Sequence, residues 1–174
     1  MRGHQEEAER WIGREDRTCR QDRIERLVWL ASLLPQAEYL TFPSGWMGKQ
    51  LYEEARYSFV YAQFLAAIVL GFAFIEHTLA AMFRAAGRND LNKARPSVLF
   101  QEAVVVGWFL PEDQGWFERV RKLRNPAAHF RPPFRRDTIE YRAVTQRELP
   151  YALLEEDARH VMNAVMGLLA RGAV

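Results

Sequence analysis

The sequence predicts an all-α protein, a bundle of four to five helices around one long central helix. Apolar residues recur at helical spacing through most of the chain. Hydrophobic residues make up 49% of the 174 residues, enough for one sizeable core. The ten glycines and eight prolines are scattered, so no linker or internal boundary is indicated. We therefore expect a single helical domain over residues 1–174.

The first helix is expected from about Glu6 to Leu34. Its first half is charged and its second half is apolar, so residues 1–20 are expected to form a peripheral helical extension. Pro35 should end this helix, because proline has no N–H to donate and clashes with the preceding turn. The N-terminus has charges of both signs and no apolar stretch, which is unlike a secretory signal.

The long central helix is predicted from about Met47 to Ala86, after a turn at residues 41–45 and before Gly87. Within it, Phe59 to Ile75 is apolar except for Gln63, which is near the minimum length of a membrane span. Charged residues lie close to both ends, and no second span follows. A buried helix of a soluble protein is therefore the favoured interpretation, with membrane insertion as the alternative.

Two shorter helices are expected next. The first begins at Pro96–Ser97 and runs to about Trp108, although the β-branched residues 104–106 weaken its helical pattern. The second begins near Glu112, where acidic residues suit the positive end of the helix dipole, and it ends at Arg124.

The segment from Phe130 to Pro150 is predicted to be an ordered irregular excursion or a short hairpin before the last helix. Residues 138–144 alternate weakly between apolar and polar, as a strand does. The last helix is expected from about Leu153 to Leu169, where apolar residues share one face.

Composition excludes several classes of function. The formal net charge of +2 is too small for strong overall attraction to nucleic acid, so local clusters of charge matter more. Cys19 is the only cysteine, which excludes an internal disulfide and favours a cytoplasmic location. Neither a phosphate-binding glycine loop nor a nucleophile elbow is present, which argues against ATPases and serine hydrolases.

Residues 124–129, RNPAAH, combine a permanent cation, an amide and an imidazole. The planar arginine side chain matches two phosphate oxygens, and histidine transfers protons near neutral pH. On an unbroken helix, Arg124 and His129 would lie about 140° apart around the axis. Because Asn125-Pro126 is typical of a helix start, we predict a break there that lets the two side chains converge.

This pattern, Arg124-Asn125 followed by His129 late in a helical domain, resembles the R-x4-6-H motif of the HEPN superfamily. The resemblance implies an all-α, commonly dimeric domain. Many members are metal-independent endoribonucleases in toxin–antitoxin and phage-defence systems, whereas others are non-catalytic modules. By position, it makes Arg124 and His129 catalytic and Asn125 the polar residue that follows the arginine. Pro126 and the pair Ala127–Ala128 depart from the more usual aliphatic filling.

The chemistry of RNA cleavage agrees with this resemblance. RNA supplies its own nucleophile, the 2′-hydroxyl, so cleavage needs a base, an acid and a cation that stabilises the charge on the phosphate. His129 can act as base or acid, Arg124 as the cation, and Asn125 can orient the phosphate or the imidazole. One histidine per chain leaves one proton transfer without a group, so we expect a homodimer with a composite site. No metal or cofactor is expected.

Basic residues around the motif could bind RNA phosphates, although a solvated helix face explains each of them singly almost as well. The predicted RNA-binding residues are Arg121, Lys122, Arg131, Arg135 and Arg136.

Glu76 is predicted to hold the guanidinium of Arg124 in place, with a purely structural salt bridge, to Arg84 for example, as the favoured alternative. A metal site from Glu76, His77, His129 and His160 is disfavoured, because no HExxH-like spacing is present.

Two classes of function follow from these observations. The first is an endoribonuclease acting as a toxin or as a defence or stress effector, which forms a 2′,3′-cyclic phosphate. The second is a catalytically inactive helical module that binds a nucleic acid or a protein, such as an antitoxin. No membrane partner is expected in either case.

Overall fold

The computed structural model describes residues 2–33 and 41–171, and all regular structure in these ranges is helical. The all-α prediction is therefore confirmed, but four to five helices was too few. A 3₁₀ turn at Asn89–Leu91 lies between the third and fourth helices. Within the described ranges, the seven α-helices are α1 (Arg2–Leu33), α2 (Gly45–Val60), α3 (Phe64–Ala85), α4 (Pro96–Val105), α5 (Asp113–Ala128), α6 (Ile139–Gln146) and α7 (Pro150–Arg171).

The core forms around α3, which packs against α2, α4, α5 and α7. On α3, Gly71 allows close approach of α7, since a Cβ at this position would lie 2.7 Å from Cγ1 of Val161. Phe100 of α4 stacks on Phe117 of α5 with ring centroids 4.2 Å apart. These contacts join α5, which carries the candidate site, to the centre of the bundle.

The predicted continuous helix from Met47 to Ala86 is wrong, because the chain forms two helices there, α2 and α3. Between them, Ala62 has φ 60°, in the left-handed region that residues other than glycine rarely adopt. At this break, the buried Arg26 of α1 donates from Nη1 to the carbonyl of Val60 at 3.2 Å. This bond satisfies one of the carbonyls left free at the end of α2.

Helix α1 packs on the core through its second half. Arg26 and Leu30 are buried, whereas no residue from 3 to 22 is buried. The predicted helix end at Leu34 and Pro35 lies outside the described residues.

Helix α3 is long and apolar enough to cross a membrane, and 50% of its most apolar stretch is buried inside the bundle. The core helix of a soluble protein meets the same criteria. This helix is therefore weak evidence for a membrane protein.

Helix α4 ends at Val105, earlier than the predicted Trp108, and Gly107 with φ 79° turns the chain away. The weakness of the β-branched stretch as a helix explains the early end.

The strand-like alternation of residues 138–144 gave a wrong prediction, because these residues begin helix α6. Thr138 caps this helix: its Oγ1 accepts from the N–H of Tyr141 at 3.4 Å and donates to the carbonyl of Arg135 at 2.9 Å. Arg147 ends the helix in the left-handed region with φ 55°. A side-chain cap at the start of the segment thus outweighs a weak two-residue period.

Candidate functional site

Helix α5 presents Arg124 beside α3. The buried side chains of Phe117 and Val120 fix the orientation of α5 on the core. This orientation places the half-buried Arg124 against α3, with its guanidinium carbon 5.3 Å from the ring centroid of Phe72. A cation over an aromatic face is held electrostatically, so Phe72 helps to position the guanidinium.

Arg124 and His129 converge at the C-terminal end of α5, where Arg124 Nη1 lies 3.3 Å from His129 Nε2. The predicted helix break at Asn125 is wrong, since α5 continues through Pro126 to Ala128. The N–H of His129 still donates to the carbonyl of Asn125 at 3.0 Å, but the backbone of His129 is extended, with φ −134° and ψ 135°. The end of the helix, rather than a kink within it, brings the two side chains together.

Pro126 is tolerated because it lies in the last turn of α5. It removes one intrahelical hydrogen bond, the one that the carbonyl of Lys122 would accept. On either side of it, Leu123 and Ala127 pack against the core. Tertiary packing therefore holds this turn in spite of the proline.

The contact between Arg124 and His129 assigns their hydrogen-bonding roles. Arginine can only donate, so Nε2 of a neutral His129 is the acceptor and the ring proton is assigned to Nδ1. Nε2 becomes available to take a proton from a substrate once Arg124 donates to another acceptor. A phosphate oxygen is such an acceptor, and His129 is exposed to solvent where a substrate can reach it.

No carboxylate among the described residues lies within ion-pair distance of Arg124 or His129. In contrast, a second Arg–His contact, which the sequence did not reveal, joins α5 to α7. Arg119 Nη2 contacts His160 Nε2, and Glu156 lies 3.6 Å from Arg119 and 3.4 Å from His160. The Arg124–His129 pair therefore has an uncompensated positive charge, and the Arg119–His160 pair does not.

Glu76 makes no salt bridge with Arg124 or Arg84 in the described part of the chain. Helices α3 and α5 run antiparallel. Glu76 lies one helical turn after Phe72 on α3, and is therefore further than Phe72 from the C-terminal end of α5, where Arg124 is. The contact that sequence reasoning assigned to Glu76 is made instead by Phe72.

Three of the five predicted RNA-binding side chains have carboxylate partners. Arg121 donates to Glu118 at 2.8 Å, and this hydrogen bond lowers the pKa of Glu118. Arg131 and Arg135 both lie 3.3 Å from the carboxylate of Asp137. The positive charge available to a nucleic acid is therefore smaller than the sequence indicates.

Lys122 and Arg136 are exposed and form no salt bridge with any described residue. With Arg124, they are the unpaired cations among the residues predicted to contact RNA.

Within residues 2–33 and 41–171, no three His, Cys, Asp or Glu side chains converge as a metal site would require. No known protein family, curated protein or solved structure matches this chain. The resemblance to HEPN proteins therefore depends on residues 124–129 together with the all-helical fold.

Proposed function

We propose that this protein is a cytoplasmic, metal-independent endoribonuclease of HEPN type, a toxin or a defence or stress effector that cleaves RNA to a 2′,3′-cyclic phosphate. The observation that carries this proposal is the 3.3 Å contact between Arg124 Nη1 and His129 Nε2. An exposed imidazole beside an uncompensated guanidinium provides a proton acceptor and a phosphate ligand in one place.

The reaction follows from these two side chains. A phosphate of the RNA accepts hydrogen bonds from Arg124, which frees Nε2 of His129. Nε2 then takes the proton of the 2′-hydroxyl, and the resulting oxygen attacks the phosphorus. Arg124 stabilises the negative charge that develops on the phosphate oxygens, and the half-buried Asn125 orients the phosphate. The bond to the 5′-oxygen breaks, and this oxygen must receive a proton.

A second copy of the chain supplies that proton in the proposed mechanism. His129 is already used as the base, and His160 is held against Arg119 and Glu156 on the α7 side of α5. A two-fold dimer that faces two Arg124–His129 pairs across one groove provides one histidine for each proton transfer. Dimerisation is thus part of the proposal.

A non-catalytic interaction module is the second candidate, and one observation favours it. Arg121, Arg131 and Arg135 already have carboxylate partners, so little basic surface is left to hold RNA. Such a module would bind an antitoxin or another protein through the same end of α5.

The decisive experiment incubates the purified protein with mixed RNA in EDTA. We expect His129→Ala to lower the cleavage rate by about 10²–10⁴-fold and Arg124→Ala by about 10²–10³-fold. Arg119→Ala and His160→Ala are matched controls, because they remove the second Arg–His contact seen among the described residues. These two variants should cleave at nearly the wild-type rate and leave a cyclic phosphate detectable by mass spectrometry.

Equal cleavage by all variants would show that a contaminating nuclease is responsible. Absence of cleavage by the wild type, combined with tight binding of a protein partner, would favour the interaction module. A monomer in analytical ultracentrifugation that still cleaves RNA would contradict the composite site.

A further inference from the structure

A cavity of about 430 Å³ lies at the end of α5, on a different side of the helix from Arg124. Pro126 and Ala127 of the motif line it, together with residues from α3, α6, α7 and the loop after α5. The lining is largely apolar, and both the size and the lining are typical of sites for small organic groups. The apolar side chains from the other helices are Leu65, Ile68, Ile139 and Leu154.

Arg131 is the unusual polar residue of this cavity. Its Nε is buried and has no hydrogen-bond acceptor among the described residues. Asp137 Oδ2 lies 3.3 Å away, close enough for electrostatic attraction, but the N–H is not aligned with it. The two Nη atoms also have no hydrogen-bond acceptor among the described residues, and 29% of the side chain is exposed, so the Nη donors are suited to bind an acceptor atom of a ligand.

Two other charged residues of the cavity wall compensate each other. Arg142 donates from both Nη atoms to Asp157, at 2.5 and 2.9 Å, and Asp157 is only 4% exposed. Both oxygens of Asp157 are therefore used within the protein. Among the described cavity residues, Arg131 is left with donors that no acceptor of the protein occupies.

Phe130 connects the cavity to the candidate site. It lines the cavity and is 86% exposed, and it follows His129 directly. Because neighbouring side chains of an extended backbone point to opposite sides, the imidazole lies towards Arg124 and the phenyl ring lies towards the cavity. An RNA strand that crosses the end of α5 can therefore place a phosphate on one side and a base on the other.

We propose that this cavity binds one nucleobase of the RNA, the base next to the phosphate held by Arg124, an inference that rests on the proposed function. The base stacks on Phe130 and accepts a hydrogen bond from an Nη of Arg131. Since the acceptor atoms lie at different positions on each base, the Nη donors of Arg131 should meet them unequally, and the cavity should bind the four bases with unequal affinity.

Calorimetric titration of the full chain with the four nucleoside 5′-monophosphates tests this proposal, with ribose 5-phosphate as the probe that lacks a base. We expect the Kd of ribose 5-phosphate to be at least about tenfold higher than that of the best nucleotide. Equal affinity for all five probes would overturn the proposal, because it would show that only the phosphate is recognised.

Leu65→Trp fills the mouth of the cavity at a position that is 52% exposed, which keeps the risk to folding small. Leu110→Trp is the matched control, because Leu110 is 57% exposed and does not line the cavity. Nucleotide binding should weaken at least about tenfold in the first variant and be unchanged in the second. Unchanged binding in Leu65→Trp would overturn the proposal.

The RNA cleavage assay tests the proposed nuclease, and the titration tests the base-binding site, so either proposal can be overturned without the other. Cleavage by a wild type that binds no nucleotide in the cavity would overturn the base-binding site and leave the nuclease. Nucleotide binding that Leu65→Trp abolishes, in a protein that cleaves no RNA, would support the binding site and overturn the nuclease.

Discussion

The substitution Gly71→Ala tests how closely α3 and α7 pack, because the structure leaves no room for a methyl group at this position. A Cβ would lie 2.7 Å from Cγ1 of Val161 and 3.4 Å from Cγ2 of Val165. Both valines are fully buried, and a valine in a helix has essentially one favourable rotamer, so neither can turn aside. Gly71→Ala must therefore be accommodated by a shift of the helices.

The expected magnitude follows from two opposing terms. Alanine in a helix interior is more favourable than glycine by about 1 kcal/mol, whereas overpacking a core costs about 1–3 kcal/mol. Gly167 of α7 separates these terms, because it is exposed and a Cβ there meets nothing within 4 Å. Gly167→Ala should therefore stabilise the protein by about 1 kcal/mol. The difference between the two variants isolates the clash and should be about 1–3 kcal/mol.

Urea unfolding and calorimetry of both variants measure this difference. For a chain of this size, a clash of about 2 kcal/mol corresponds to a Tm roughly 4–8 °C lower in Gly71→Ala than in Gly167→Ala. If the free energies of unfolding of the two variants agree within about 0.5 kcal/mol, the argument from close packing at Gly71 is wrong.

Three other predictions concern the same bundle. Asp157→Leu should lower the free energy of unfolding in urea by about 3 kcal/mol, because it leaves the partly buried Arg142 without the buried carboxylate that is its partner. Adding Arg142→Met should restore most of the loss, and a double variant as unstable as the single one would contradict this. Arg147→Gly should raise the free energy of unfolding by about 1 kcal/mol, because Arg147 has φ 55°, whereas Arg147→Ala should not. The hydrogen bond from Arg121 lowers the pKa of Glu118. The pair therefore stabilises the folded state at pH values above the ordinary glutamate pKa of about 4.3, and this stabilisation is lost as the pH falls through the lowered pKa of Glu118. The Tm of Glu118→Gln should accordingly lie slightly below that of the wild type at pH 7 and approach it at about pH 2; a gap that persists in acid would point to a role other than charge.

Helix boundaries were predictable where a turn residue marks them. Pro96 begins α4, and Gly87 follows the end of α3 as expected. The break at Ala62 was not predictable, since neither glycine nor proline marks it. A hydrogen bond between Arg26 and Val60, which are 34 residues apart in sequence, stabilises it. Contacts between distant segments decide such breaks, and a local pattern does not contain them.

The start of α6 is a different case, because its signal was present. Thr138 precedes a possible first turn with Glu140, which is typical of a capped helix start, but the alternation of the following residues favoured a strand. The capping signal favoured a helix and the periodicity favoured a strand, and the segment forms the helix.

For the candidate site, the sequence predicted that Arg124 and His129 would converge, and the structure shows the contact. It did not predict the packing of Arg124 on Phe72, because the sequence does not show which side chain an aromatic residue of a core helix will contact. The partners of Arg131 and Arg135 were closer to prediction, since Asp137 is nearby in the chain.

The extended backbone at His129 explains why a fixed number of residues separates Arg124 from His129. One residue inserted within α5 after Arg124 would move the helix end by about 100° around the axis relative to Arg124. One residue inserted after Ala128 would instead turn the imidazole to the opposite face. The spacing thus records the distance from the arginine to the end of its helix. Searches for similar pairs should therefore look for an arginine one turn before a helix ends, with a histidine at the first extended residue.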